Sequence, residues 1–273
     1  MIMIKSNVLA SKLKRAINRD QLILNYFPVV DVQSNSTVEV EVLARWCLKK
    51  DIHVPPVEFI RVAESNGLMP KLSNWIISTA IQQLYQWRQQ GHDITMSINL
   101  SLTEIEDENI VEFIEQQLNK YDIPTEKIGF EIAERNILMI NEKHKIILQK
   151  LQAIGIRLIL DNASGLFLES SFELDQPWHK IKIDWLLVLQ SANNFQCRSL
   201  VKKLIENAFK KSAFVIIPGI HTHEEWRSIR RKNNILAQGY YFSPPKNKDE
   251  LDVWFLLSHW KPRSLLQQVG NAT

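Results

Sequence analysis

Cysteine is nearly absent from this chain of 273 residues: Cys47 and Cys197 are the whole supply. Two thiols so far apart make neither a disulfide framework nor a zinc ribbon, so the expected setting is a reducing cytoplasm. Charge of one sign is equally scarce. The 33 Lys and Arg against 30 Asp and Glu leave a net charge of +3, too small to argue for a nucleic-acid partner. Long apolar runs are missing as well. The longest, near Leu22–Val30 and Ala213–Ile217, fall well short of the roughly 20 residues a membrane-spanning helix needs. Lys5, Lys12, Lys14 and Arg15 interrupt the short apolar start before a secretion signal can form. No Gly/Ser/Pro-rich linker, solenoid-length repeat or low-complexity segment divides the chain. What is present, 45% apolar and 23% charged residues, is enough for a large core. The length is normal for one α/β barrel, so residues 1–273 are expected to form a single domain.

Short β-rich runs alternate with longer helical-period segments almost from end to end, the pattern of βα units around a mostly parallel sheet. Eight strands are predicted: Leu22–Val30, Val38–Trp46, Thr95–Leu100, Ile128–Ile132, Arg157–Leu160, Lys180–Ile183, Phe214–Ile217 and Leu236–Tyr240. Helices are predicted over Leu72–Gln89, with Leu72, Trp75, Ile76, Ala80, Leu84 and Trp87 on one face, and over Glu142–Ala153. The first connection is short, and Ser34-Asn35-Ser36 supplies turn formers, so the first two strands should pair as a hairpin. The expected fold is therefore α/β, a TIM-like (β/α)8 barrel with its first strand antiparallel.

Val40-Glu41-Val42-Leu43-Ala44-Arg45-Trp46 sets a glutamate and an arginine on a strand otherwise built for burial. An internal ion pair would explain that much. Yet Glu41, Asn99, Glu131 and Asp161 fall at the ends of four different predicted strands, where side chains of a β/α barrel converge on a pocket. Such oxygen-only donors suit Mg²⁺ or Mn²⁺ better than zinc. Lys182, ending a further strand, adds a charge that could hold a phosphate or a metal-bound hydroxide. Local roles compete, since Asn99 could cap a helix and Asp161 could begin a turn.

With these residues the chain resembles the EAL domain, a bacterial β/α barrel that hydrolyses or senses cyclic di-GMP, from about Leu13 to Pro245. Seven motifs carry the resemblance in order: Tyr26-Phe27-Pro28-Val29-Val30-Asp31, Glu41-Val42-Leu43-Ala44-Arg45-Trp46, Phe59 through Leu68, Ile98-Asn99-Leu100-Ser101, Phe130-Glu131-Ile132-Ala133-Glu134, Lys182-Ile183-Asp184 and Gln238-Gly239-Tyr240. The resemblance implies that Glu41, Asn99, Glu131 and Asp161 hold a first Mg²⁺ or Mn²⁺, that Lys182 positions the attacking water in an active member, and that Arg45 grips a phosphate. Phe27, Leu43, Asp184 and Gln238, with Glu41 and Asn99, complete the implied ligand contacts.

The chain departs from the family where a second ion belongs. Two successive aspartates followed by Phe-Gly-Thr-Gly become Asp161-Asn162-Ala163-Ser164-Gly165-Leu166, and Asn162 brings an oxygen without a charge. Ala-Glu-Gly-Val-Glu becomes Ile217-Pro218-Gly219-Ile220-His221. Pro218 removes a second-ion ligand, and His221 replaces a glutamate that the resemblance assigns to bracing the loop after the aspartates. Phe27 stands for a glutamine and can stack on a base but not hydrogen-bond it. The expectation is a degenerate signalling member, inactive or strongly impaired, that acts as a cyclic di-GMP receptor or protein-interaction regulator. The alternatives are a working phosphodiesterase producing the linear dinucleotide, and a nucleotide-independent protein-binding module. An unidentified protein partner is expected, with a homodimer possible; no sensor or cyclase domain lies within these residues. The His221/His223 pair lacks a third ligand, the basic run Arg227, Arg230, Arg231 and Lys232 reads as a solvated helix face, and Trp254, Phe255 and Trp260 read as packing or a partner surface.

Overall fold

Asp31 ends the first apolar run and turns the chain back: its Oδ1 accepts from the amides of Gln33 at 2.7 Å and Ser34 at 3.0 Å. Asn35 takes a left-handed φ of 51°, which Asn tolerates better than most residues. The hairpin pairs β1 (Leu22–Asp31) antiparallel with β2 (Ser36–Lys49), from Leu22 opposite Trp46 to Asp31 opposite Ser36, with a bulge at Val29/Val30. This computed structural model describes residues 2–19, 21–49, 52–168, 178–229, 232–258, 260 and 263–264.

Six parallel strands follow in sequence and in space: β3 (Thr95–Asn99), β4 (Ile128–Ala133), β5 (Arg157–Ala163), β6 (Lys180–Ile183), β7 (Phe214–Ile217) and β8 (Ile235–Gln238). The last of them pairs antiparallel with β1 and closes the ring. The predicted barrel with one reversed strand is thus the observed one. One boundary differs for a clear reason. The eighth strand, expected to reach Tyr240, ends at Gln238, because a Cβ on Gly239 would lie 2.1–2.7 Å from the Ile220 main chain crossing there. The crossing is fixed by Ile220 N–H donating to Gln238 O at 3.1 Å and Tyr241 N–H donating to Ile220 O at 3.0 Å.

Helices α1 (Ile2–Asn18), α2 (Pro56–Ser65), α3 (Met69–Gln89), α4 (Ile110–Lys120), α5 (Glu142–Ala153), α6 (Trp185–Ser191), α7 (Phe195–Lys210), α8 (His223–Ile229) and α9 (Lys248–Leu257) surround the strands. The predicted helix from Leu72 begins one turn earlier, at Met69. The main core lies between barrel and helices and includes Trp87, Phe130, Leu148 and Leu204. A second cluster joins Leu13, Ala16 and Ile17 of α1 to Trp46, Phe59 and Leu72. Trp87 is fully buried and Trp75 half-buried, while Phe255 and Trp260 pack inside, so these last two are core. Arg227 and Lys232 are exposed; Arg230 and Arg231 lie outside the described residues.

Period-two alternation along β2 and β6 sends Glu39 and Glu41, and Lys180 and Lys182, into the barrel. Lys180 pairs with Glu39, which also accepts from Thr95 Oγ1 at 3.0 Å. Beside them Val29, Ile216 and Leu236 form a small apolar plug. A buried ion pair therefore sits one layer beneath the strand-end polar groups.

Candidate functional site

The strand ends bring three carboxylates around one ammonium. Lys182 Nζ lies 2.8 Å from Glu41 Oε2, 3.1 Å from Glu131 Oε2 and 3.6 Å from Asp161 Oδ1. Gln238 Nε2 donates to Glu41 Oε2 at 2.9 Å, and Ser97 Oγ donates to Glu131 Oε1 at 2.6 Å. Asn99 stands at the exposed rim, close enough to favour the charged form of Glu41. The separate strands named in the sequence thus meet at one point.

Burial opposes charge on all four groups, and the neighbours decide who keeps it. Burial works to raise Glu41, but the Lys182 charge and the bonds from Lys182, Gln238 and Asn99 hold it below its ordinary value. Burial pushes Glu131 up to about 8; Lys182 opposes this, and Glu41 and Asp161 add to it. Asp161 is raised mainly by burial. Lys182 stays above its ordinary value because three carboxylates outweigh its desolvation.

Among the described residues, no group of three or more His, Cys, Asp and Glu side chains is set open for a metal ion, since the carboxylates close on Lys182. The donor chemistry nonetheless fits one hard divalent cation. Asp161 Oδ1 is buried without a hydrogen-bond partner, and the side chains of Glu41, Glu131 and Asn99 add oxygens of the type Mg²⁺ and Mn²⁺ take. An entering ion would have to displace the ammonium.

Two neighbouring positions bear on a second ion. Asn162, at a left-handed φ of 53°, donates its Nδ2 to Asp161 Oδ2 at 2.6 Å, so its amide offers the cluster a donor. Pro218 lines one cavity with Asp161 and Asn162 and has no side-chain atom able to ligate. Ala163 is buried and Ser164 exposed. The loop beyond is clamped by Glu134, a buried side chain the sequence reading passed over. Its carboxylate accepts from Ser164 N and Oγ, both at 2.6 Å, from Gly165 N at 3.0 Å and from Phe167 N at 3.1 Å. Glu134, three residues after Glu131, thus braces this loop.

Two cavities flank the cluster and share Glu41. One, of about 510 Å³, is walled by Phe27, Trp185, His221, Tyr240, Pro218 and Gln238. Phe27 and His221 meet the Tyr240 ring edge-on, with centroids 6.1 and 5.8 Å away. The other, of about 400 Å³, is lined by Leu43, Arg45, Asn99, Arg135 and Glu131 among others. Arg45 is half-buried and donates to Ala44 O at 3.0 Å. Asp184 Oδ1 caps α6 by accepting from Leu187 N at 2.8 Å, and Asp184 is not among the lining residues of either cavity. His223 Nδ1 bonds Tyr241 Oη at 2.7 Å, away from the cluster. No helix among the described residues is long and apolar enough to cross a membrane.

Comparison with known proteins agrees with this geometry. The family profile of the EAL domain matches residues 10–245. Over 245 residues the chain is 28% identical to signaling protein YkoW of Bacillus subtilis, covering 89% of this chain and 30% of that protein. It is 26% identical over 247 residues to cyclic di-GMP phosphodiesterase PA2567 of Pseudomonas aeruginosa, covering 90% and 42%. The chain spans about a third of the length of the curated relatives it matches. Among solved structures, EAL enzyme Bd1971 in its cAMP-bound form superposes with a TM-score of 0.81 at 25% identity, over 91% of this chain and 70% of that one. The FimX EAL domain from Pseudomonas aeruginosa bound to c-di-GMP gives 0.77 at 23% identity, over 87% and 96%, a likeness of fold.

Proposed function

The chain belongs to the EAL domain family, and we propose that it is a cyclic di-GMP signalling protein that binds the dinucleotide while two-metal hydrolysis is strongly impaired. The carrying observation is Asn162 and Pro218 at the wall of the larger cavity: one turns an amide N–H₂ toward Asp161 and the other has no donor atom. A second cation there would gain no charge from Asn162 and no ligand from Pro218, and ions activate water and neutralise charge only where they are held. Losing that contribution removes several kcal/mol of transition-state stabilisation, so turnover falls by orders of magnitude.

Binding is supported by a different part of the site. The two cavities meeting at Glu41 give a bis-guanosine ligand an aromatic wall of Phe27, Trp185 and Tyr240 on one side and the Arg45 guanidinium on the other. A single Mg²⁺ or Mn²⁺, when bound, would neutralise ligand phosphate charge; Glu41, Asn99, Glu131 and Asp161 are the residues to hold it. The signal would pass to a protein partner or a second copy through α6, whose Trp185 lines the cavity and is 55% exposed.

A second reading, a working phosphodiesterase, is favoured by the gathered Glu41, Glu131, Asp161 and Lys182. Calorimetric titration with cyclic di-GMP, in Ca²⁺ and then in EDTA, alongside hydrolysis in Mn²⁺, separates the readings. Binding without turnover is expected. Turnover at the rate of an ordinary member would sink the proposal, and absence of binding in both conditions would leave a nucleotide-independent protein module.

A further inference from the structure

At the opposite mouth of the barrel, the helix-to-strand connections enclose a cavity of about 230 Å³. Arg157 opens β5, His179 immediately precedes β6, and Lys211 and Ser212 form the turn between α7 and β7. Three basic side chains face this one volume, and no carboxylate is among its described lining residues. The side chains of half-buried Arg157 and exposed Lys211 make no hydrogen bond or ion pair among the described residues, while the His179 ring packs on Phe214 with centroids 5.8 Å apart. A half-buried guanidinium in a cavity that a second cation also lines favours an anion. The surroundings of His179 tell the same story: burial first, then Lys180 and Arg157, push its imidazole down to about 3.

We propose that this cavity binds a small oxyanion, inorganic phosphate or a small phosphomonoester, with Arg157 and Lys211 as its cations and a ring N–H of His179 as a further donor. Arginine presents a fork that matches tetrahedral oxyanions. The volume is smaller than either cavity at the other mouth, about 510 and 400 Å³, and suits a small anion better than a dinucleotide.

The test is calorimetric titration of the full chain with inorganic phosphate and, separately, with glycerol 3-phosphate; the tighter of the two assigns the source. Saturable binding is expected, weakened about tenfold or more by Arg157→Gln, as loss of a charged fork implies. Lys12→Gln, at an exposed position on α1, is expected to leave it unchanged. A local readout runs beside it: the ring ¹³Cε1–¹H signal that vanishes in His179→Gln should shift on phosphate addition in the native chain and in Lys12→Gln. If Arg157→Gln does not fold, Arg157→Lys, which keeps the charge and loses the fork, should show weakened binding. Failure to saturate at millimolar phosphate, binding that is undiminished without Arg157, or an unmoved His179 signal overturns the site.

Discussion

Replacing Lys182 with methionine keeps the aliphatic length and deletes the cation that three buried carboxylates share. Its contacts of 2.8, 3.1 and 3.6 Å are each worth on the order of 5 kcal/mol of gross attraction at an effective dielectric of about 20. Most of that is offset by the desolvation of the charges. The net loss on removing one partner from a buried pair is about 3–5 kcal/mol, which we expect for Lys182→Met. Glu131, pushed up to about 8 chiefly by burial, and Asp161, raised mainly by burial, are above their ordinary values even with the ammonium present, whereas Glu41 is held below. Without the ammonium Glu41 rises above its unfolded value and the other two rise further. Acids raised in this way favour the folded state below the unfolded pKa, about 4, and lose that contribution as pH climbs through the raised values. The deficit should therefore be smallest near pH 5 and grow toward pH 8. Urea unfolding of both proteins across that range measures it, and Mg²⁺ or Mn²⁺ should stabilise the variant more than the native chain. A deficit below about 1 kcal/mol, the scale of an exposed ion pair, and flat with pH would refute the reasoning.

Arg45→Ala should weaken cyclic di-GMP binding about 10- to 100-fold, the worth of a charge-assisted hydrogen bond; unchanged affinity by calorimetry removes Arg45 from the ligand. Glu134→Ala deletes an acceptor used by four donors, so hydrogen exchange at Gly165 and Phe167 should quicken and stability fall by about 3 kcal/mol; unchanged protection would mean the clamp is not formed. Gly239→Ala forces a Cβ against the Ile220 main chain and should cost about 3 kcal/mol in urea unfolding, whereas a native midpoint would contradict that crossing. Asn162→Asp combined with Pro218→Glu should gain Mn²⁺-dependent hydrolysis, and a double variant that binds the ligand but stays inactive would place the defect elsewhere in the rewritten loop.

The barrel was legible because polar residues at inward strand ends interrupt otherwise apolar runs, which is how Glu41, Glu131 and Asp161 stood out. The reversed first strand was legible because Ser34-Asn35-Ser36 leaves no room for a crossover helix. What the sequence hid had ambiguous local meaning. Asp184 follows a strand and precedes a helix, a position shared by ligand contacts and N-caps, and one oxygen of its carboxylate caps α6. Glu134 follows Glu131 by three residues, and only the fold of the later loop reveals what it grips. Glu39 and Lys180 lie far apart in sequence, and only the inward register of β2 and β6 joins them.

The gathered first cluster and the proposed lack of a second ion site are compatible for an electrostatic reason. Glu41, Glu131, Asp161 and Lys182 are all buried, and removing any one leaves an uncompensated charge or acceptor inside the barrel, a penalty the fold feels whether or not it turns over substrate. Their presence therefore reports on folding as much as on activity. Asn162 is exposed, where a substitution has little structural cost, and Asn is also at ease at the left-handed φ of that position. Pro218 is buried at the cavity wall, so it answers to packing as well as to chemistry. The proposal of impaired turnover accordingly rests on those two wall residues and gains nothing from counting the four that remain inside.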